Sequence, residues 1–208
     1  MHKIMKIGLY FGTFNPIHVG HMIIANYMAD YTDIDEVWLV VTPQNPLKIK
    51  SSLLKDSQRL ALVREAVYEN NKLKASDIEF GLDRPNYTSH TLVHLMEKYP
   101  EHEFCLIMGE DNMRNFHKWF NFEVLLKNHS IYIYPRVLTP QEKNEEGNKD
   151  IGRVEAMKAR KNIIFCNEAP IMKVSSSFIR KAIKNKKDVR YLLTDPVFKY
   201  IDEMNFYK

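Results

Sequence analysis

Two cysteines in 208 residues, Cys105 and Cys166, are too few for a disulfide scaffold. Each sits inside an apolar run, where a free thiol behaves as a small hydrophobe, so no disulfide is expected. No apolar stretch is long enough to span a bilayer, and residues 1–6 lack the apolar core of a secretory signal. The chain is therefore expected in the cytoplasm, with no membrane partner. There is no internal repeat and no low-complexity tract, although residues 139–150 are polar, rich in Glu, Asn and Lys, and read as a mobile loop. Two nucleotide signatures are missing as well. The Gly-x-Gly-x-x-Gly fingerprint of dinucleotide enzymes and the Gly-Lys-Ser/Thr of the Walker loop are both absent, which argues against hydride transfer and P-loop chemistry.

What is present is ordinary in bulk and unusual in one stretch. With 45% hydrophobic and 27% charged residues, the composition predicts one globular domain over residues 1–208. A net charge of +4 suits phosphorylated small molecules and nucleic acid alike. The unusual stretch is 7–21. Residues 4–11 are apolar and aromatic enough for a buried strand, and Gly12 ends it where a backbone without Cβ can approach a ligand closely. Asn15-Pro16 then breaks the chain, and residues 19–31 carry Ile23, Ile24, Tyr27 and Met28 at helical spacing. His18 and His21 fall at the start of that helix, three residues apart and on one face. Free N–H groups at a helix start already favour phosphate, and two imidazoles add directed donors. Zinc is the competing reading of two such histidines, but no nearby Cys, His or Glu completes a ligand set.

Further along, apolar runs at 36–42, 73–80, 103–108, 130–134 and 162–166 read as strands, alternating with helical patterns that open at 56, 88, 112, 175 and 195. Asp56 or Ser57 is expected near the cap of the helix that opens at 56, and Thr88 is expected to cap the next. The helix from Thr88 is expected to bury Leu92, Leu95, Met96 and Tyr99, leaving His90 and His94 off the stripe. This alternation predicts an α/β fold with a doubly wound, mostly parallel sheet and helices on both faces. Ligands then bind beyond the carboxyl ends of the strands, where Gly12 to His21, Pro43 to Lys48, Gly109 to Asp111 and Arg136 all fall. Phe116, Trp119, Phe120 and Phe122 form an aromatic cluster, in which Trp119 is a candidate for ring stacking.

The residues Gly12, Phe14, Pro16, His18, Gly20 and His21 match the Gly-x-Phe-x-Pro-x-His-x-Gly-His signature, so the chain resembles the nucleotidyltransferase superfamily. Phe11 stands where a second Gly is usual and Asn15 where Asp is usual. The likeness continues through Pro43, Pro46 and Lys48, through Pro85-Asn86-Tyr87-Thr88-Ser89-His90-Thr91-Leu92, through Gly109 and Asp111, Trp119 and Arg136, and through Val174, Ser175, Ser177 and Arg180. Over nearly its whole length the chain is similar to the bacterial nicotinate-nucleotide adenylyltransferases. Leu47, His90, Val137 and Ser177 depart from that family's usual His, acid, Pro and Thr.

The resemblance implies a Rossmann-like nucleotidyltransferase fold in which residues from about 174 to 208 form a helical subregion completing an ATP site. It implies ATP and nicotinate mononucleotide as substrates, with Mg²⁺ accompanying the phosphates and no caged metal. His18, His21 and Arg180 would be catalytic. Gly12, Thr13, Phe14, His18, His21, Gly109, Asp111, Arg136, Ser175, Ser177 and Arg180 would hold ATP, and Lys48, Tyr87, Thr88 and Trp119 the mononucleotide. Self-association into a homo-oligomer is compatible with this reading. The rival readings are adenylyl or cytidylyl transfer to another acceptor such as phosphopantetheine, and a nucleotide sensor without turnover. A basic helix over 180–190 also admits a nucleic-acid module, but that leaves the first motif unexplained, so no nucleic-acid partner is expected.

Overall fold

The computed structural model describes residues 4–43, 53–136, 157 and 159–208. Six strands form one sheet: β1 (Lys6–Gly12), β2 (Glu36–Val41), β3 (Leu73–Ser76), β4 (Glu103–Gly109), β5 (Ile131–Tyr134) and β6 (Ile163–Phe165). Their order is β3-β2-β1-β4-β5-β6 and every neighbouring pair is parallel. Parallel neighbours need crossovers. Helix α1 (Val19–Tyr31) joins β1 to β2, α2 (Asp56–Val67) joins β2 to β3, and α3 (Thr88–Lys98) leads into β4. The short α4 (Glu110–Arg114) and α5 (Phe122–Asn128) lie between β4 and β5, and α6 (Ser176–Lys184) and α7 (Asp195–Glu203) follow β6.

Both faces of the sheet are covered, which is why its strands read as continuous apolar runs. Alternate residues divide between two cores. Tyr10, Val37, Leu39, Val41, Cys105 and Ile107 face α1, α2, α6 and α7. Ile7, Leu9, Val40, Phe104, Leu106 and Met108 face the opposite side, against Leu92 and Leu95 of α3 and Leu125 and Leu126 of α5. Gly12 pairs in register with Val41, so β1 and β2 end together. The strand order turns back at β1, and the crevice beyond β1 and β4 is where such sheets bind ligands.

Three local expectations are corrected. The third strand stops at Ser76, and a 3₁₀ turn, Ile78–Gly81, carries Glu79 into the interior. That buried carboxyl needs a hydroxyl donor, so α3 turns Thr91 inward, with Thr91 Oγ1 donating to Glu79 Oε1 at 2.8 Å, while Met96 is exposed. Tyr87, not Thr88, occupies the N-cap position of α3. Asp56 stands beside the N-cap residue of α2, Lys55, as expected, and its carboxylate binds Arg59 and Arg84.

Candidate active site

The chain leaves β1 at Gly12 and bends through Phe14, whose φ is 44°, and a cis Asn15–Pro16 bond before entering α1. Asn15 is buried, and its Oδ1 accepts the N–H of Leu54 at 3.3 Å and the hydroxyl of Tyr207 at 2.7 Å. A neutral carboxamide takes these bonds without placing a charge in the interior. The Asn15 carbonyl accepts Nη1 of Arg180 at 2.7 Å, which ties α6 to this loop. Ser176 Oγ adds a bond to the Pro16 carbonyl at 2.8 Å.

His18 is the N-cap residue of α1 and His21 lies one turn in. Their rings stack with centroids 3.7 Å apart and 22° between planes. The main-chain N–H of His18 donates to Nδ1 of His21 at 3.2 Å, so a neutral His21 carries its proton on Nε2. His18 Nδ1 is buried and meets no hydrogen-bond partner among the described residues. Burial, helped by the Arg136 guanidinium, lowers the His18 pKa to about 4. His21 is also pushed down, first by burial, then by His18 and Arg136. Both imidazoles are neutral at neutral pH. A Cβ at Gly20 would lie 3.1 Å from Cε1 and Nδ1 of His18, close enough that the ring would have to give by a few tenths of an ångström.

These side chains open onto a cleft of about 360 Å³, a volume typical of small-ligand sites. Gly12, Thr13, Phe14, His18 and His21 line it from the β1–α1 corner. Trp119 and Arg136 line it beyond β4 and β5, and Ser175, Ser177 and Arg180 from α6. Ser175 caps α6 by accepting the N–H of Phe178 at 3.2 Å, and Ser177 Oγ accepts Nη2 of Arg180 at 3.2 Å. Asp111 meets the site through an ion pair with Arg136, whose Nη1 donates to Asp111 Oδ2. Among the described residues the Asp111 Oδ1 atom is buried without a partner, and a Cβ on Gly109 would lie 2.5 Å from it. A larger residue at 109 would therefore shift the Asp111 carboxylate.

The expected acceptor residues are divided. Trp119 lines the cleft and packs edge-on against Phe116, with centroids 5.3 Å apart. Tyr87 instead sits 4.7 Å from the ring of Phe120, and neither Tyr87 nor Thr88 is among the cleft's lining residues. Lys48 and the stretch 139–150 lie outside the described residues. Among the described residues no three His, Cys, Asp or Glu side chains cluster as metal ligands.

Three residues at or beside the cleft escape a sequence reading. The hydroxyls of Tyr10 and Tyr134 meet at 3.1 Å on the cleft wall, and burial raises both pKa values, so one O–H is spent within the pair and the other can be donated elsewhere. Arg59 is fully buried beneath the loop. Its position four residues before Val63, on the apolar face of α2, is the signal that could have found it.

The cytidylyltransferase-like family model matches residues 9–182. The chain is 55% identical over 204 residues to the probable nicotinate-nucleotide adenylyltransferase of Flavobacterium psychrophilum, covering 98% of this chain and 100% of that one. It is 43% identical to that of Bacteroides thetaiotaomicron, covering 96% and 92%. The chain belongs to the nicotinate-nucleotide adenylyltransferase family. Solved structures of similar fold include Plasmodium falciparum nicotinic acid mononucleotide adenylyltransferase complexed with NaAD, with a TM-score of 0.73, 19% identity and coverage of 98% and 97%. A putative nicotinate-nucleotide adenylyltransferase from Vibrio parahaemolyticus aligns with a TM-score of 0.68, 20% identity and coverage of 98% and 96%. At these identities the structures speak for the fold, and membership of the adenylyltransferase family rests on the relatives.

Proposed function

We propose that the chain transfers the adenylyl group of ATP to nicotinate mononucleotide, giving nicotinate adenine dinucleotide and pyrophosphate. The observation that carries this reading is the stacked, neutral pair His18 and His21 at the start of α1, facing the crevice where the strand order turns back. A phosphate oxygen of the mononucleotide attacks the α-phosphorus in line, and the bond to the β-phosphate oxygen breaks. The attacking phosphate is already ionised at neutral pH, so no general base is required. The protein has to join two polyanions and stabilise charge as it shifts.

Nε2–H of His21 is a donor that needs no proton uptake to act, because backbone bonding already fixes its tautomer. Aimed at oxygens that gain charge in the transition state, the two imidazoles favour that state over the bound substrates. Arg136 and Arg180 hold the departing pyrophosphate, and Ser175 and Ser177 offer hydroxyl and main-chain donors at the start of α6. In this reading residues 174–208 complete the ATP site of a single nucleotidyltransferase domain. Mg²⁺ bound with the triphosphate would neutralise part of its charge. Asp111, whose Oδ1 has no partner among the described residues, would be the chain's side chain toward that ion. The substrates are small molecules, and no helix among the described residues is long and apolar enough to cross a membrane. We place the reaction in the cytoplasm.

The test incubates the purified chain with ATP, Mg²⁺ and one acceptor at a time, and follows pyrophosphate. Release with nicotinate mononucleotide is expected. Release with phosphopantetheine alone, or with no acceptor, would overturn the reading.

A further inference from the structure

The buried guanidinium of Arg59 takes no part in the chemistry above, yet it touches more of the site's framework than a space-filling residue would. Its Nη1 donates to the carbonyl of Thr13 at 2.5 Å and to that of Thr42 at 3.1 Å, its Nε to the carbonyl of Leu54 at 3.2 Å, and its Nη2 to Asp56 Oδ1 at 2.6 Å. Three separate stretches of main chain therefore converge on one rigid, planar cation. Thr13 belongs to the loop that leads to the histidines, and Thr42 follows β2.

Two routes then run from Arg59 to the turn before α3. On the first, the other carboxylate oxygen of Asp56 accepts Nη2 of Arg84 at 2.8 Å, and Arg84 opens the turn that reaches Tyr87 and Thr88. On the second, burial raises the pKa of the Glu79 carboxyl, and the neighbouring Thr91 and Thr42 side chains oppose the rise. Glu79 Oε1 accepts the hydroxyl of Thr91, and its carbonyl accepts Nδ2 of Asn86 at 2.9 Å. Asn86 and Thr91 flank Tyr87 and Thr88, so both routes end on the same turn.

We propose that Arg59 is a positioning residue that registers the phosphate loop against the turn before α3, to which the family resemblance assigns the acceptor, so that the two substrates meet in line. The proposal rests on the adenylyl-transfer reading for its substrates, though not for its geometry. Thr13 and Arg84 lie on different crossovers with no other shared charged anchor among the described contacts. In-line transfer tolerates little misplacement of either phosphate. A buried fork bonded directly to the loop, and to the turn through Asp56, removes that freedom.

Three variants test it. Arg59→Lys keeps the charge and loses the fork. It is expected to fold, by circular dichroism and a cooperative melt, and to lower kcat by about tenfold to a hundredfold. Asp56→Asn keeps an acceptor for Arg59 but removes its counter-charge together with the link to Arg84, and Arg84→Met removes that link alone from the other end. Both are expected to raise KM for the mononucleotide several-fold, and Arg84→Met to leave KM for ATP unchanged. A folded Arg59→Lys with wild-type kcat and a lowered Tm would overturn the proposal, leaving Arg59 a structural prop. If Arg59→Lys does not fold, the other two decide: an unchanged acceptor KM in both overturns it. If the wild type does not use nicotinate mononucleotide, the functional reading fails by itself. Equilibrium binding of ATP then tests Arg59 directly, with weakened binding in Arg59→Lys expected and unchanged binding overturning it.

Discussion

The Nδ1 atom of His21 accepts the main-chain N–H of His18 at 3.2 Å, and that one bond decides which nitrogen of His21 faces a ligand as a donor. With its proton held on Nε2, His21 acts as a neutral hydrogen-bond donor. Replacing His18 or His21 by Ala is expected to lower kcat about a hundred- to a thousandfold, equivalent to about 2.7–4 kcal/mol, with much smaller changes in KM. Steady-state kinetics on both substrates checks this. A double alanine variant at full rate would remove both histidines from the mechanism.

Gly20 offers a gentler probe. A Cβ at Gly20 meets the His18 ring at 3.1 Å, whereas one at Gly81 meets nothing within 4 Å. Gly20→Ala is expected to keep the fold and lower kcat by about tenfold to a hundredfold through a displaced ring, and Gly81→Ala to be silent. Equal activities of the two variants would show that the ring has room to move.

The neutral imidazoles also set an acid limit. His18 falls from the usual 6.5 to about 4 in the folded state. Between those values the unfolded chain binds the extra proton, so stability is complete above 6.5 and is lost as pH falls toward 4. The shift corresponds to about 3 kcal/mol. His21 acts in the same direction. Urea unfolding across this range should show the loss, and His18→Gln, which cannot take the proton, should show a shallower slope. An identical slope would mean that His18 is not held neutral.

The motif from Gly12 to His21 is legible because phosphate chemistry at a helix start concentrates its requirements within ten residues. The doubly wound sheet is legible because strands buried on both faces are apolar without interruption. Arg59 is not legible in the same way, since its partners at Thr13, Thr42 and Leu54 are main-chain carbonyls, which any residue supplies. Met96 fits an apolar stripe by spacing, but the stripe is displaced toward Thr91 by a carboxyl twelve residues earlier. Trp119 and Phe120 are adjacent aromatics, and spacing alone does not say that Tyr87 packs on Phe120.

The choice between acid and amide on the pyridine ring is also open to test. No Lys or Arg lies in residues 87–91 or 119–122, and no side chain caps the start of α3. A carboxylate near Thr88 would be met by main-chain N–H donors, which an amide's own N–H₂ would leave unpaired. Each unpaired buried donor costs about 1–3 kcal/mol, so two give a preference of tens- to thousands-fold for nicotinate over nicotinamide mononucleotide in kcat/KM. Equal efficiencies would show that these donors do not set the choice.

The most direct measurement of the central claim follows the α-phosphorus itself. With ATP labelled at that atom, Mg²⁺ and nicotinate mononucleotide, the label should appear in nicotinate adenine dinucleotide in step with unlabelled pyrophosphate, and the His18→Ala and His21→Ala double variant should transfer almost none. Label recovered as free AMP, or left in ATP while the purified chain is folded and binds it, would contradict adenylyl transfer by this site.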